Sequence, residues 1–406
     1  SGTLTTGSGT NSINFTDDLF DLTGDIIGGN LVGGGTDTLS FANQSENVSV
    51  NLQTSAASGI VGTFSNIETF TGGGGTDSLR GVDAVNTFNV TSNNAGNITG
   101  GSTTSFSSFE TLSGGTANDT FVFSDGVTIS GTLNGRGDTG GTSDVLDYSA
   151  WTTGVTVDLD TGTANNIFGG AAGGLSNVES LIGGSGNDVF TVASSFAPQL
   201  TGNGGDDTYN ITFVVGVGQR TTINENAAGG TDTVNLTGTA IDDAFVLTSA
   251  TLIENTVSGR EIDFGANVET VNLDGSGGST ATGDTLTGFN TANTFNITGS
   301  NAGDLGVIDF SNIQNLTGNS NVDQFVFTDA GSLSGAIDGA GGTADVLTGD
   351  SDGNTFTITA ANTGGLTGKT SGWSNIENLN GGTGTDTFTF SAGATVAGTI
   401  DGVSGT

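Results

Sequence analysis

The sequence predicts an all-β fold, a parallel β-solenoid (β-roll or β-helix) with imperfect repeats and loop insertions that forms one continuous array over residues 1–406. Three observations predict it: a signature that recurs along the chain, phenylalanines at equivalent positions of short alternating runs, and 73 glycines against a single proline, Pro198. A repeated unit that cannot bury its apolar face alone specifies a stacked architecture. The glycines supply the positive-φ turns between strands.

The signature has the form S-N-I-E-x-L-x-G-G-x-G-x-D-x-F. Its copies occupy residues 65–81, 107–123, 176–192, 311–327 and 374–390, and a sixth copy from Ala266 carries an insertion before Asp284. In the five copies an acidic or amide residue precedes the aspartate by nine positions: Glu68 and Asp77, Glu110 and Asp119, Glu179 and Asp188, Gln314 and Asp323, Glu377 and Asp386. A second module begins at Asn86 and returns at Asn293 and Asn354.

The apolar residues of each unit alternate with polar ones, as in Phe121 and Phe123, which predicts a strand with one apolar face. Stacking turns at about 4.8 Å places each Phe over its equivalent in the next turn. Phe295, Phe325, Phe356 and Phe388 follow one another at intervals of 30, 31 and 32 residues. This spacing fits one large triangular turn or up to two smaller ones. Residues 124–175 and 210–265 are interpreted as longer spacers that add a turn or an outward loop.

Two other architectures compete with the solenoid. High glycine content and low charge density also occur in disordered chains, but the ordered placement of 24 phenylalanines argues against disorder. An array of β-sandwich domains of roughly 100 residues is the second alternative. No linker or break in composition divides the chain in that way.

The composition also bounds partners and compartment. With 5 basic and 42 acidic residues the net charge is -37, which disfavours nucleic acid as a partner. No apolar run approaches the roughly 20 residues of a spanning helix, so no membrane span is expected. A cysteine-free acidic chain rich in Gly and Thr is typical of a bacterial extracellular protein stabilised by repetition or metal instead of disulfides.

Four stretches carry a family resemblance. They are GGGGTDSLR from Gly72, GGSGNDVFT from Gly183, GNGGDDTYN from Gly202 and GGTGTDTFT from Gly381. They resemble the G-G-x-G-x-D-x-U-x nonapeptide of haemolysin-type calcium-binding (repeats-in-toxin) proteins, and the segment from Asp144 resembles the spacers between such repeats. Similar arrays occur in large bacterial surface proteins and adhesins. The resemblance implies a right-handed parallel β-roll that binds Ca²⁺ between successive turns.

Calcium is therefore the expected cofactor, because Asp carboxylates and turn carbonyls are the hard oxygen ligands that it prefers, with an affinity on the order of 10⁻⁴ to 10⁻³ M. The candidate metal ligands are Asp188, Asp207, Asp77, Asp386, Asp119 and Asp323. Only Asp188 and Asp207, 19 residues apart, approach the tandem spacing of the family, and turn glycines are lost near Asp119 and Asp323. The alternative is that these aspartates cap turns through local hydrogen bonds.

The chain lacks the usual residues of catalysis. It has neither histidine nor cysteine. Adjacent acids occur at Asp17 and Asp18, Asp206 and Asp207, and Asp242 and Asp243. Neighbours in a strand point to opposite faces and do not converge on one glycosidic bond, so the sequence predicts no enzyme. Four aromatic residues, Trp151, Trp373, Tyr148 and Tyr209, either form sugar-stacking platforms or cover core ends and loops.

These observations predict an extracellular structural protein of the bacterial cell surface or biofilm matrix. The chain begins at Ser1 and ends at Thr406 without polar caps, so it is expected to be an excerpt of a longer fibre or a subunit that joins other copies head to tail. A calcium-dependent adhesin module that binds a polysaccharide or a cell surface is the alternative.

Overall fold

A computed structural model of the chain describes residues 2–16, 21–29, 35–100, 103–137, 143–193, 199–215, 220–227, 229–276 and 283–402. These residues form 43 short strands and one 3-10 turn, Phe168–Gly170, with no α-helix among them. Asp17, Asp18 and Pro198, and the insertion of the sixth signature copy at 277–282, lie outside the described residues. No helix of the described chain has the length and apolar character to cross a membrane.

The contacts within the chain define two compact units. The first holds the described residues 2–191, 199–207 and 229–230, and the second holds 192–193, 208–227 and 231–402. The strands of the first unit are β1 (Leu4–Thr5), β2 (Asn11–Asn14), β3 (Ile26–Ile27), β4 (Asp37–Ser40), β5 (Ser49–Asn51), β6 (Ala56–Ala57), β7 (Phe64–Ser65), β8 (Thr69–Thr71), β9 (Ser78–Arg80), β10 (Thr87–Ser92), β11 (Ala95–Thr99), β12 (Thr104–Ser107), β13 (Thr111–Ser113), β14 (Thr120–Phe123), β15 (Leu133–Asn134), β16 (Val145–Asp147), β17 (Thr156–Asp158), β18 (Thr163–Ala164), β19 (Leu175–Ser176), β20 (Ser180–Ile182), β21 (Val189–Val192, which ends at the boundary) and β22 (Gln199–Thr201).

The second unit continues in the same manner. Its strands are β23 (Thr208–Thr212), β24 (Arg220–Asn224), β25 (Thr233–Thr237), β26 (Ala244–Ser249), β27 (Leu252–Asn255), β28 (Arg260–Asp263), β29 (Thr270–Asp274), β30 (Thr285–Thr287), β31 (Thr294–Gly299), β32 (Ala302–Leu305), β33 (Ile308–Ser311), β34 (Asn315–Asn319), β35 (Gln324–Phe327), β36 (Ala336–Ala340), β37 (Val346–Thr348), β38 (Thr355–Ala360), β39 (Thr363–Leu366), β40 (Thr370–Ser374), β41 (Asn378–Asn380), β42 (Thr387–Phe390) and β43 (Ile400–Asp401).

In the first unit, parallel pairs place equivalent apolar residues directly beside one another. One ladder joins β10, β14, β16, β20 and β22 through Phe88, Phe121, Leu146, Leu181 and Leu200. A second ladder joins β5, β9, β13, β15 and β19 through Val50, Leu79, Leu112, Leu133 and Leu175. All ten side chains are buried, so the core runs along the stacking direction. Parallel pairing of this extent is unlike a β-sandwich, whose sheets are antiparallel.

The second unit repeats this arrangement. Phe295, Phe325, Leu347 and Leu379 align across β31, β35, β37 and β41. Leu286, Leu316, Ile337 and Trp373 align across β30, β34, β36 and β40. The core side chains of both ladders are buried because the alternation of apolar and polar residues directs every second side chain inward.

The predicted column of phenylalanines is found only in part. Phe295 stacks on Phe325 with ring centroids 5.0 Å apart, and Phe356 stacks on Phe388 at 4.9 Å. Phe325, however, pairs with Leu347, whereas Phe356 lies in the other ladder. The near-constant spacing of the four phenylalanines in the sequence therefore combines two in-register pairs that belong to different ladders. Equivalent residues are 30 to 32 apart where three strands intervene, two of them from a meander, and Leu316 and Ile337 are only 21 apart where the single strand β35 intervenes.

The fully parallel arrangement expected from the sequence is interrupted by antiparallel meanders of three strands. The second module forms three of them, β10 to β12, β31 to β33 and β38 to β40. Their first turns place Asn94, Asn301 and Asn362 in the left-handed region, with φ of 53°, 54° and 48°. Asn tolerates that region better than other non-glycine residues, so the chain reverses there. A fourth meander, β26 to β28, lies in the predicted spacer 210–265.

Candidate functional site

The six aspartates that were predicted to bind metal each lie directly before a strand, where a turn ends. Five of them are no more than 1% exposed, and Asp386 is half-buried. Burial of a carboxylate is costly unless it is paired or hydrogen-bonded. The contacts of these side chains therefore determine what the positions do.

In four of the six aspartates, Asp77, Asp119, Asp188 and Asp323, one carboxylate oxygen closes its own turn. The backbone N–H four residues earlier donates to Oδ2, from Gly115 to Asp119 at 2.5 Å and from Gly184 to Asp188 at 2.8 Å. Gly73 and Asn319 donate in the same way to Asp77 and Asp323. These bonds are the turn caps that the sequence offered as the alternative to calcium.

The first glycine of the signature is required by this turn. A methyl group on Gly318 would overlap Asp323 Oδ2 and would lie 2.8 Å from the Gly339 carbonyl oxygen. The equivalent glycines, each five residues before its aspartate, meet the same obstruction: Gly72, Gly114, Gly183 and Gly381. The spacing of Gly and Asp in the signature thus has a steric cause.

The other oxygen connects one turn to the next. Oδ1 accepts the backbone N–H of the residue at the equivalent position of a neighbouring turn, from Val155 to Asp188 at 2.7 Å and from Asn293 to Asp323 at 2.9 Å. The same bond joins Val48 to Asp77, Asn86 to Asp119 and Asn354 to Asp386. Asp188 in turn donates its N–H to Asp207 Oδ1 at 2.7 Å, so the structure brings together the two residues with near-tandem spacing. We call each such series an aspartate ladder.

Further aspartates belong to the ladders although the sequence analysis did not select them. Asp144 accepts the N–H of Asp119 at 2.6 Å, Asp284 that of Asp243 at 2.7 Å, and Asp345 that of Asp323 at 2.8 Å. All of these carboxylates are buried. The available signal was a Gly-rich turn followed by Asp two residues before a buried Leu or Phe, as at Asp144 and Leu146 or Asp345 and Leu347.

The acidic or amide residue nine positions before each aspartate is hydrogen-bonded to a different aspartate. Its side chain accepts the N–H at the end of a different ladder: Glu68 from Asp37 at 2.8 Å, Glu110 from Asp77 at 2.8 Å, Glu179 from Asp144 at 2.9 Å, Gln314 from Asp284 at 2.5 Å and Glu377 from Asp345 at 3.1 Å. One complete ladder therefore reads Asn293, Asp323, Asp345, Glu377. The longer Glu or Gln side chain terminates it.

The residues before each Glu explain the remainder of the signature. Asn66, Asn177, Asn312 and Asn375 adopt φ between 50° and 55°, and Ser108 takes this position in the second copy with φ of 55°. The left-handed residue directs the chain so that the Glu two positions later reaches the ladder. At Glu377, Oε1 also accepts a hydrogen bond from Asn362 Nδ2 at 2.8 Å, which ties the ladder to the turn of a meander.

Burial raises the pKa of two ladder carboxylates, Asp188 and Asp345. At Asp188 burial is the largest cause of the raised pKa, and the N–H groups of Val155 and Gly184 oppose it. For Asp345 burial is again the largest cause, opposed by the Asp323 N–H and reinforced by the negative charges of Glu377, Asp323 and Asp338, and its pKa rises to about 6. Asp345 Oδ2 is buried and accepts no hydrogen bond from the described part of the chain. Asp386 Oδ2 is likewise buried and accepts no hydrogen bond from the described residues.

The hydrogen bonds to these carboxylates determine which of their oxygens are left to bind the expected calcium. At Asp77, Asp119, Asp188 and Asp323 both carboxylate oxygens already accept backbone N–H groups. At Asp386, which the sequence selected, and at Asp345, which it did not, one buried oxygen has no such partner among the described residues. An ionised carboxylate offers about four acceptor positions, so these two sites leave capacity for a cation.

The aromatic residues do not form exposed platforms. Trp151, Trp373, Tyr148 and Tyr209 are all buried, at most 4% exposed. Tyr148 donates its hydroxyl to the Asn165 carbonyl at 2.7 Å and packs edge-on against Trp151. The adjacent acids at 242 and 243 diverge, because Asp243 is buried within a ladder and Asp242 is half-exposed. The sugar-stacking interpretation of these aromatics is therefore wrong.

The geometry is that of a repeated array of buried carboxylates. No family model matches the chain, and no curated protein shows significant similarity to it.

Proposed function

We propose that the chain is a segment of a bacterial extracellular fibre and forms a right-handed parallel β-solenoid. Copies of the chain assemble end to end by β-stacking, and calcium stabilises them. The observation that supports this proposal is the in-register parallel pairing of equivalent residues, such as Phe295 with Phe325 and Leu347 with Leu379. Each turn of the fold exposes to the next turn the same kind of strand edge with which it pairs to the preceding one. A second copy of the chain is then an acceptable neighbour by the same pairing rule.

The charge of the chain makes cations part of this proposal. At a net charge of -37, copies of the chain repel one another, and repulsion between exposed charges falls as ions screen them. Calcium bound at the ladder aspartates lowers the charge of each segment directly. The proposed ligands are Asp188, Asp207, Asp77, Asp386, Asp119 and Asp323, joined by Asp345 because of its partnerless buried oxygen.

A second candidate, a calcium-dependent adhesin module that binds a polysaccharide or a cell surface, is favoured by one feature of the second unit. Asn235 donates its side-chain amide to Asn210 at 2.9 Å, and Asn272 donates to Asn235 at 2.8 Å. These half-exposed amides form a row on the outward side of β23, β25 and β29. Threonines flank them in register, except that Asp274 replaces the second threonine in β29. A regular polar row of this kind offers repeated hydrogen-bonding groups to a repeating glycan.

Electron microscopy of the purified chain separates the two candidates. The chain is imaged at increasing protein concentration with millimolar calcium, with magnesium at equal ionic strength, and with chelator. Uniform fibres that lengthen with concentration in calcium support the fibre. Single particles at every concentration, together with retention on an immobilised acidic or neutral polysaccharide, support the adhesin and contradict the fibre. Particles that neither assemble nor bind contradict both.

A further inference from the structure

Lys369, the single lysine of the chain, lies in the hairpin between β39 and β40, and its ammonium group is surrounded by oxygen atoms. Nζ donates to the carbonyl oxygens of Thr328, Asp329 and Gly331 at 3.2, 2.9 and 3.2 Å. It also pairs with the Asp350 carboxylate, and the side chains of Lys369 and Asp350 are only 14% and 5% exposed. The four oxygens come from a turn and from a second segment about twenty residues later.

The same position of another meander also carries a basic residue. Lys369 follows Gly368, and Arg260 follows Gly259; both glycines have positive φ, at 79° and 73°. Arg260 is 2% exposed and donates from Nη1 to the Thr212 carbonyl at 2.7 Å. Thr212 and Thr328 occupy equivalent places, each five residues after a ladder aspartate. In both meanders a cationic side chain therefore donates to a backbone carbonyl group at the end of a strand, Thr212 at the end of β23 and Thr328 directly after β35.

The arrangement at Lys369 has the composition of a site for a hard cation. Three carbonyl oxygens and one carboxylate converge within reach of a single positive atom, and oxygen ligands of this kind are those that Ca²⁺ takes. Without a positive charge these oxygens repel one another, and Asp350 becomes a buried carboxylate without its ion-pair partner, which is costly. In this chain the ammonium group of Lys369 supplies the positive charge.

We propose that the ammonium group of Lys369 occupies a cation site built from the Thr328, Asp329 and Gly331 carbonyls and the Asp350 carboxylate, and that calcium fills this site when the ammonium is removed. The turn at 328–331 is then fastened in the natural chain without any metal ion. This inference is independent of calcium at the aspartate ladders, which involves other residues.

Hydrogen exchange of the full chain tests the proposal, with the exchange rate of the peptide that covers 328–331 as the readout. In the unsubstituted chain this rate is expected to be the same in chelator and in millimolar calcium. In Lys369→Ala the rate in chelator rises by about tenfold or more, as expected when a hydrogen-bonded ion pair is lost. Calcium, and not sodium at equal ionic strength, then restores the original rate.

Matched variants make the result specific. Arg220→Met also removes one positive charge, but Arg220 forms exposed ion pairs with Glu261 and Asp263, so calcium is expected to leave its exchange at 328–331 unchanged. If circular dichroism shows that Lys369→Ala does not fold, Lys369→Gln is measured in the same way. The proposal is overturned if the turn stays protected in the variant with chelator, if calcium fails to restore protection, or if chelator deprotects the turn of the unsubstituted chain as much as that of the variant.

Discussion

Asp323 and Asp345 are neighbours in one ladder, yet their carboxylates have different surroundings. Asp323 Oδ1 accepts N–H groups from the backbone and the side chain of Asn293, and its Oδ2 accepts the Asn319 N–H at 2.6 Å. Asp345 Oδ1 accepts one N–H, from Asp323, and its buried Oδ2 accepts none from the described residues. The same residue type therefore contributes differently to stability at two consecutive positions.

Asp323→Asn and Asp345→Asn are expected to have opposite effects at pH 7.5 in chelator. The amide NH₂ at position 323 faces a backbone donor, so we expect a loss of about 2–3 kcal/mol in the free energy of unfolding. At position 345 the amide removes a buried negative charge and leaves Oδ1 free to accept the Asp323 N–H, so stability is expected to stay equal or rise. Urea unfolding of both variants measures the difference, and equal losses would contradict the ladder assignment.

The raised pKa of Asp345 predicts a dependence of stability on pH. Because the pKa is about 6 in the folded chain against 3.8 ordinarily, the folded chain holds this proton more tightly than the unfolded chain. The resulting stabilisation is complete below pH 3.8 and is lost as the pH rises through 6. We expect Tm in chelator to rise by roughly 2–4 °C from pH 7.5 to pH 5.

Two variants control this pH experiment. Asp345→Asn should flatten the change in Tm, because its side chain does not titrate. Asp309→Asn should retain the change, because Asp309 is exposed on the outward side of β33. A variant at 345 with the full pH dependence of the original chain would show that another group is responsible.

At the scale of the element, the turn before each strand combines one glycine, one aspartate and one N–H of the chain. The glycine leaves room for Oδ2, and Oδ2 in turn accepts the N–H four residues before the aspartate. Each member needs the other two. A change at the glycine therefore acts on the turn and on the ladder together.

Gly318→Ala is expected to destabilise the second unit by about 1–3 kcal/mol, because the added methyl group overlaps Asp323 Oδ2 and crowds the Gly339 carbonyl. Gly365→Ala is the matched control, since a methyl group there meets no atom within 4 Å. It is expected to be neutral or stabilising by up to about 1 kcal/mol. Chemical denaturation of the two variants compares them, and similar losses would show that the turn has room to adjust.

At the scale of the whole molecule, acidity dominates, since 42 acidic residues face only 5 basic ones. Self-repulsion lowers the stability of the compact state, and ions screen it. We expect Tm to rise from 0.05 to 0.5 M NaCl by several degrees, an order-of-magnitude figure for screening of surface charge. Because calcium is the proposed ligand of the ladder aspartates, we expect it to add a further rise in Tm at millimolar concentration that magnesium at equal ionic strength does not reproduce. Equal curves for the two ions would remove calcium from the proposed function.

The sequence by itself determined the local features of this protein. The alternation of Phe with polar residues specifies strands, and the Gly–Asp spacing specifies turns, because both act within about ten residues. The burial of Phe121 and Phe325, and the position of the six selected aspartates at the ends of turns, follow from that pattern. The recurring module also marked three of the four meanders, although the antiparallel pairing within them was not predicted.

Only the tertiary structure decided which groups meet across turns. Ladder partners lie from 19 to 41 residues apart, as between Asp188 and Asp207 or Asp243 and Asp284, and the separation depends on whether a meander intervenes. The sequence therefore showed a constant offset between each Glu and an aspartate without indicating which aspartate the Glu reaches, and it placed Phe325 and Phe356 in one column. The carbonyl partners of Lys369 lie about 40 residues away and are backbone groups, which every residue has, so the sequence gives no sign of them. Register between turns depends on the summed length of the intervening segments, and a local pattern does not encode that sum.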